Sequence, residues 1–219
     1  PGFMRLLKQR LGEQREGQLR CVLLDANALP FADCGFDCVL GHSVLHHLAR
    51  FEQTLRESYR VTRTGGICAF GEPVLDIHAY VSFAAQVILE LEAGTGALGR
   101  REMQVLRALA QRARLKRENL EGDRARLAEV EDKFIFPVEH MRRLAREIGF
   151  SRMDCVGHAG QHSLGGSCRM IIERSLDQRG DESGFLDSYA FIFDALTATL
   201  GDSMDMNGLT PFSFFVFVK

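Results

Sequence analysis

The first third of the chain alternates short apolar runs with one amphipathic stretch. Apolar side chains crowd into residues 19–24, 36–40 and 67–70, and each run, bounded by glycine or by turn-forming Asp and Asn, predicts a strand. Residues 51–61 carry apolar side chains at helical spacing, and a shorter helix is predicted at residues 4–11. This order predicts a βαβ unit with parallel strands and a right-handed crossover. The unbroken apolar run at 36–40 predicts a strand that is buried on both faces.

The rest of the chain is first helical and then mixed. Residues 76–133 combine apolar side chains at helical spacing with a long charged stretch, which predicts a helical insertion with a solvated face. Further downstream, the pattern predicts helices at 138–148 and 184–200 and strands at 152–156, 167–173 and 212–218. Alternating strands and helices are typical of an α/β fold with an open sheet.

Composition narrows the class of partner. The 219 residues include 27 Lys and Arg, 29 Asp and Glu, and 46% hydrophobic residues, which is typical of a packed globular chain. The balanced charge argues against binding to nucleic acid or to an anionic membrane surface, and favours a small molecule or another protein. Six cysteines without a C-x-x-C pair, and the absence of an apolar run of membrane-spanning length, predict a cytoplasmic protein without a membrane span.

Two predicted strand ends carry residues suited to ligand binding. In open parallel sheets, ligands bind outside the carboxyl ends of the strands. The first end carries Asp25, whose carboxylate suits the exocyclic amine of an adenine, while an adjacent backbone N–H suits a ring nitrogen. The competing interpretation is that Asp25 only caps a turn. The second end carries Gly41, which permits close backbone approach to a ligand, followed by the neighbouring imidazoles of His46 and His47.

Five segments in a fixed order carry a family resemblance. They cover residues 25–31, 36–40, 42–48, 55–66 and 70–73. Together they resemble class I S-adenosylmethionine-dependent methyltransferases, and they are most similar to the small-molecule branch that includes the quinone methyltransferases. The resemblance is weaker further on, where residues 134–150 and 214–218 are similar to a late helix and the last strand of that family.

The resemblance implies S-adenosylmethionine as the cofactor and a small organic molecule as the methyl acceptor. Asp25 and Ala26 would hold the adenine, with Asn27 beside them. The backbone of Gly41 and His42 would face the methionine portion of the cofactor.

Three more positions complete the implied site, which contains no metal. Ser43 would line the same wall as Gly41. His47 matches a position that serves some relatives as a base or as a substrate-orienting group, and Glu72 would contact substrate at the pocket rim. The alternative for both His47 and Glu72 is a structural hydrogen bond.

The resemblance also implies a fold that departs from the family pattern. We expect a Rossmann-like open sheet that is truncated at its N-terminus, without the first two strands and their glycine-rich loop, and that carries a helical insertion. The expected division is a partial core over 1–75, an insertion or lid over 76–133, and the rest of the core over 134–219. Residues 88–99 resemble the missing glycine loop, but the helical spacing before them favours a turn between two helices over a permuted chain.

Two functions of different classes are consistent with these features. The first is methyl transfer from S-adenosylmethionine to a small organic acceptor. The second is a non-catalytic methyltransferase-like protein or partner subunit that has lost the glycine loop. A related pocket for another adenine-containing ligand, and assembly as a homo-oligomer, both stay open.

Overall fold

The computed structural model describes residues 20–95, 98–157, 163–176, 184–200 and 210–219. These residues form four strands, which are β1 (Phe36–His42), β2 (Thr62–Pro73), β3 (Arg152–Gly157) and β4 (Phe212–Val218). The α-helices are α1 (Phe51–Val61), α2 (Leu75–Leu91), α3 (Arg100–Glu121), α4 (Val138–Ile148), α5 (Leu164–Leu176) and α6 (Ala190–Leu200). Short 3-10 helices lie at Leu45–His47, Arg124–Leu127 and Gly184–Tyr189. The helix predicted at residues 4–11 lies outside the described residues.

The four strands form one open sheet in the order β1-β2-β4-β3. Strands β1 and β2 are parallel, and α1 connects them, which confirms the predicted βαβ unit. Strand β4 is antiparallel to both of its neighbours, β2 and β3. The predicted α/β fold with an open sheet is therefore confirmed, and His42 at the carboxyl end of β1 lies beside Gly71 in β2.

The two faces of this sheet differ in burial. One face carries side chains that are buried with helices α1 and α4 in a single core, including Phe70, Phe215 and Phe217. On the other face, Leu40 is 74% exposed and Val156 is 47% exposed. The prediction that residues 36–40 are buried on both faces is therefore wrong: four of these five residues are exposed, since helices α1 and α4 pack on the opposite face of the sheet.

Two predicted strands are not strands in the structure. Residues 20–24 of the predicted 19–24 strand form no strand, and Leu23 is 89% exposed, because no described strand pairs with this segment. Residues 167–173 lie within helix α5. The buried side chains of α5 include Leu164, Cys168 and Ile171, whose separations of three or four residues are those of a helix face rather than a strand.

The segment 76–133 consists largely of helices, as predicted. The two ends of the segment lie side by side. Val74 and Phe136 form an isolated parallel bridge, and the N–H of Leu75 donates to the carbonyl oxygen of Phe136 at 2.9 Å. The side chain of Asp76 accepts a hydrogen bond from the N–H of Val138 at 3.0 Å. The segment thus leaves and rejoins the sheet domain at one place, next to the carboxyl end of β2.

The helices of this segment build a second hydrophobic core. Helices α2 and α3 pack together with α5 and α6 around the buried side chains of Ile77, Val81, Leu106, Ile172 and Phe193. Residues 88–91 belong to α2, so the helix excludes the strand that a permuted glycine loop would require. Gly94 follows in a turn with φ of 108°. The predicted helix at 184–200 is confirmed in part, since it begins as the 3-10 helix Gly184–Tyr189.

Candidate active site

A buried carboxylate organises the loop that follows β1. Glu72, near the end of β2, is fully buried, and its Oε1 accepts hydrogen bonds from the N–H groups of Val44 at 2.9 Å and Leu45 at 2.7 Å. Its Oε2 accepts from the N–H of His46 at 3.3 Å and from Nδ1 of the same residue at 2.6 Å. Because β1 and β2 are parallel, their carboxyl ends meet, and Glu72 satisfies the backbone donors of the turn after β1.

The two neighbouring histidines have different surroundings. The His46 side chain is 10% exposed, and its Nε2 lies 3.6 Å from Oδ1 of Asp132. The His47 side chain is 39% exposed, and its Nδ1 lies 3.6 Å from the same carboxylate oxygen. The Nδ1 of His47 also hydrogen-bonds the carbonyl oxygen of Glu131 at 2.9 Å. The structure therefore brings His46 and His47 together with a segment that follows α3.

The Gly41–Ser43 segment connects β1 to this loop. A Cβ on Gly41 would lie 2.5 Å from the ring of Phe70, so glycine permits close packing of β1 on its neighbour here. Ser43 has a left-handed backbone with φ of 52°, which is uncommon for serine, and its N–H donates to the carbonyl oxygen of Gly71 at 2.8 Å. His42 is exposed and lies against Phe212, with ring centroids 4.8 Å apart.

Asp25 forms a turn of its own. Its Oδ1 accepts hydrogen bonds from the backbone N–H of Asn27 at 2.8 Å and from the Asn27 side chain at 3.1 Å. The bond from the Asn27 N–H is the main reason why the pKa of Asp25 is lowered. The turn-capping interpretation is thus present in the structure, and the exposed carboxylate keeps capacity for further donors.

Helix α1 holds the segment that follows Asp25. Thr54 donates to the side-chain oxygen of Asn27 at 3.2 Å. Arg60 donates to the carbonyl oxygens of Leu29 and Phe31, both at 2.8 Å, and pairs with Asp33. The Asp25–Asn27 turn and the Gly41–His47 loop therefore rest on different supports, the first on α1 and the second on β2.

Some of these features were missed in the sequence. Asp132 belongs to a charged stretch that we interpreted as a solvated face, and no spacing relates it to His46, 86 positions earlier. The hydrogen bond of His46 to a buried carboxylate was not predicted either. A signal for Glu72 was available, since it lies at the carboxyl end of a strand predicted to be parallel to β1.

Comparisons with known proteins identify similar sequences for the first part of the chain. Residues 1–70 match the family model described as a methyltransferase domain. The predicted resemblance to methyltransferases is confirmed over these residues. The demethylmenaquinone methyltransferase of Mycobacterium marinum is 45% identical over 60 residues, which are 26% of this chain and 26% of that protein. The ubiquinone/menaquinone biosynthesis C-methyltransferase UbiE of Klebsiella pneumoniae is 36% identical over 63 residues, which are 27% of this chain and 25% of its own length.

The match spans about a quarter of the length of these curated relatives. Among solved structures, the [4+2]-cyclase SpnF has a TM-score of 0.46 at 14% identity, covering 99% of this chain and 60% of its own. A methyltransferase from Thermotoga maritima has a TM-score of 0.41 at 14% identity, covering 89% of this chain and 61% of its own. At these scores, the structural likeness does not bear on function. Among the described helices, each is too short or too polar to cross a membrane.

Proposed function

We propose that this chain contributes to methyl transfer from S-adenosylmethionine to a small organic acceptor. The observation that carries the proposal is the family match over residues 1–70, which contains the Asp25 turn, the Gly41–Ser43 segment and both histidines. One curated relative is named a demethylmenaquinone methyltransferase and the other a ubiquinone/menaquinone biosynthesis C-methyltransferase, which supports an organic acceptor of the quinone type. A small-molecule acceptor also agrees with the balanced charge of the chain.

The residues that we propose to bind the cofactor fit an adenosyl ligand in two respects. The carboxylate of Asp25 is exposed and ionised at neutral pH, so it can accept hydrogen bonds from an exocyclic amine while it holds its own turn. The left-handed backbone at Ser43 lies in the exposed turn that follows Gly41 and His42 at the end of β1, and uncommon backbone conformations of this kind cluster at ligand sites. We assign the adenine to Asp25, Ala26 and Asn27, and the methionine portion to Gly41, His42 and Ser43.

S-adenosylmethionine supplies a sulfonium methyl group that an oxygen, nitrogen or carbon nucleophile of the acceptor displaces. The protein mainly has to hold the acceptor in line with that methyl group. His47, with its partly exposed imidazole, is assigned as the base that takes the proton of the acceptor or orients the acceptor. Glu72 is fully buried and bonds the loop directly, so we assign it as a positioning residue rather than the substrate contact that the family resemblance implied.

We also propose that the helical segment 76–133 covers the acceptor. It begins next to the carboxyl end of β2, and its last residues, Glu131 and Asp132, lie against the two histidines. An acceptor bound at His47 would therefore touch this segment, which supports a role in substrate choice.

One observation favours the second candidate, a partner subunit without activity. Leu40, Ile67 and Val156 lie on one face of the sheet and are 74%, 42% and 47% exposed. Exposed apolar side chains on one sheet face are consistent with a surface that another polypeptide covers. The partner interpretation predicts association without cofactor binding.

Calorimetry with S-adenosylmethionine separates the two functions. We expect the chain to bind the cofactor, and Asp25→Ala to weaken binding by about tenfold or more, since alanine removes the charged acceptor for the exocyclic amine. Asp37→Ala is the matched control, because the Asp37 side chain is 85% exposed and pairs with Arg63 at the start of β1, away from the site. Mass spectrometry of a pool of small aromatic acceptors, incubated with methyl-labelled cofactor, identifies the acceptor. Absence of binding heat from the unaltered chain, together with absence of label transfer, would contradict the enzymatic proposal.

A further inference from the structure

Three side chains from two segments of the chain, which could each donate a metal ligand, lie close together beside the loop after β1. Nε2 of His46 and Nδ1 of His47 each lie 3.6 Å from Oδ1 of Asp132. One ligand atom of each residue can be chosen so that all three lie within 4.8 Å of one another. Two imidazoles and one carboxylate form a common ligand set for a divalent transition metal.

The spacing of these atoms fits a metal between them. Ligand atoms about 2.1 Å from a tetrahedral zinc ion lie roughly 3.4 Å from one another. The two distances of 3.6 Å from Asp132 differ from that separation by only a few tenths of an ångström. An ion can therefore be accommodated by small side-chain rotations.

His46 is oriented for this role by a second residue. Its Nδ1 bonds the buried carboxylate of Glu72 at 2.6 Å, and because a carboxylate only accepts, the proton lies on Nδ1. The lone pair of His46 therefore lies on Nε2, which is the nitrogen closer to Asp132. A carboxylate that fixes the tautomer of a histidine ligand is a regular feature of metal sites.

His47 and its backbone neighbour can complete the set. The Nδ1 of His47 lies 2.9 Å from the carbonyl oxygen of Glu131. An ion that takes the lone pair of this nitrogen requires the proton to lie on Nε2 instead, and it then has the Glu131 carbonyl oxygen beside it as an oxygen ligand.

The segment that carries Asp132 is held in place independently. The N–H groups of Lys133 and Phe134 donate to the carbonyl oxygen of His46 at 2.9 and 3.2 Å. The ammonium of Lys116 bonds the carbonyl oxygen of Asp132 rather than its carboxylate. The ligand atoms are therefore already close together before an ion binds, so binding requires little further loss of chain entropy.

The geometry points to a binding site for a divalent transition metal ion of the zinc class, formed by His46, His47 and Asp132. The two imidazole nitrogens and single carboxylate suit zinc, whereas Ca²⁺ and Mg²⁺ depend on several oxygen ligands. Such an ion would fasten the end of the 76–133 segment to the loop after β1. This inference does not rest on the methyl-transfer proposal, although the two share His47. With an ion on Nδ1 and the proton on Nε2, His47 has no lone pair left to take a proton, so it would orient the acceptor instead.

The test is titration of the metal-free chain with Zn²⁺ by calorimetry and with Co²⁺ by visible absorption. We expect one equivalent to bind, and Asp132→Asn and His47→Gln each to weaken binding by about 10–100-fold. Both side chains are partly exposed, so these variants should fold, and Glu129→Gln on the same exposed stretch is the control that should bind like the wild type. The six free cysteines are an alternative site, and Co²⁺ bound to thiolate is recognised by its sulfur charge-transfer absorption.

Zinc and cobalt binding that Asp132→Asn and His47→Gln both weaken, without sulfur absorption, would support the site. Failure of the wild type to bind either ion, binding that neither variant changes, or a sulfur charge-transfer band would overturn it. Because no cofactor or acceptor is present in these titrations, the result does not depend on whether the chain transfers methyl groups.

Discussion

Glu72, near the end of β2, and His46, in the turn that follows the parallel strand β1, form a buried hydrogen bond. Oε2 of the carboxylate lies 2.6 Å from Nδ1 of the imidazole. The same carboxylate accepts three backbone N–H groups from the turn that carries both histidines. A single side chain therefore sets both the backbone of this turn and the tautomer of His46. The site after β1 depends on Glu72 even if no substrate ever touches it.

Glu72→Gln should destabilise the protein. The amide would place N–H donors against backbone donors in a buried position, so we expect the free energy of unfolding to fall by about 2–4 kcal/mol. Urea unfolding measures the change, with the exposed Glu129→Gln as the control. An unchanged unfolding midpoint would mean that the backbone of the turn does not need the carboxylate.

The stability of the second core should depend on pH through His78. Burial, with smaller contributions from Arg112 and Lys116, lowers the pKa of His78 from 6.5 to about 4. The folded state therefore keeps this imidazole neutral, while the unfolded chain takes up a proton below about pH 6.5. The stabilisation is complete above that pH and is lost as the pH falls towards 4.

The variant His78→Leu should lack this dependence. Within the described residues, Nδ1 of His78 has no hydrogen-bond partner, so the substitution breaks no hydrogen bond of that atom. Between about pH 7.5 and pH 4.5, we expect the wild type to lose about 2–3 kcal/mol more stability than the variant. Urea unfolding at both pH values gives the difference, and equal losses in the two proteins would show that His78 does not titrate as described.

Gly165→Ala should separate two helices of the second core. A Cβ at this position in α5 would lie 1.9 Å from the carbonyl oxygen of Phe193 in α6, and backbone atoms cannot yield as a flexible side chain can. We expect a loss of about 1–3 kcal/mol in thermal or urea unfolding. Gly35→Ala is the control, because its Cβ would meet only the Ala32 carbonyl oxygen, at 3.3 Å.

Arg124 should couple the end of the 76–133 segment to α1. Its guanidinium bonds both carboxylate oxygens of Glu52 and lies over the rings of Phe51 and Phe134, each centroid 5.2 Å away. A double-mutant cycle with Arg124→Met and Glu52→Gln should give a coupling of about 1–2 kcal/mol. Additive effects of the two substitutions would mean that the pair contributes nothing beyond its separate packing.

The sequence predicted the local elements better than their surroundings. The periodicity of α1 and α4 matches their observed bounds, and the Gly149 that ends α4 has the left-handed φ of 111° typical of a helix end. The predicted strand in α5 failed because a short apolar run with small residues fits either element until packing decides. Exposure of β1 was missed because burial depends on which neighbours the strand has.

At the candidate site, too, local features were predicted from the sequence and contacts between distant segments were not. Parallel pairing brings Glu72 beside the His42–His47 loop, and parallel strands were predicted from the βαβ order alone. The approach of Asp132 to the histidines depends on the course of two long helices, which no local pattern specifies. Residue types could suggest candidate chemistry there, but only the packed fold shows which of them meet.

The position of β4 between β2 and β3 has a consequence for synthesis on the ribosome. Strand β3 is made before β4, yet in the described sheet it pairs only with β4. While helices α5 and α6 are being translated, β3 therefore has an unpaired backbone edge, whereas β1 and β2 can already pair. The nascent chain must keep this edge from pairing with other chains until β4 emerges, which makes the interval between the two strands the stage at which chaperone binding would matter most.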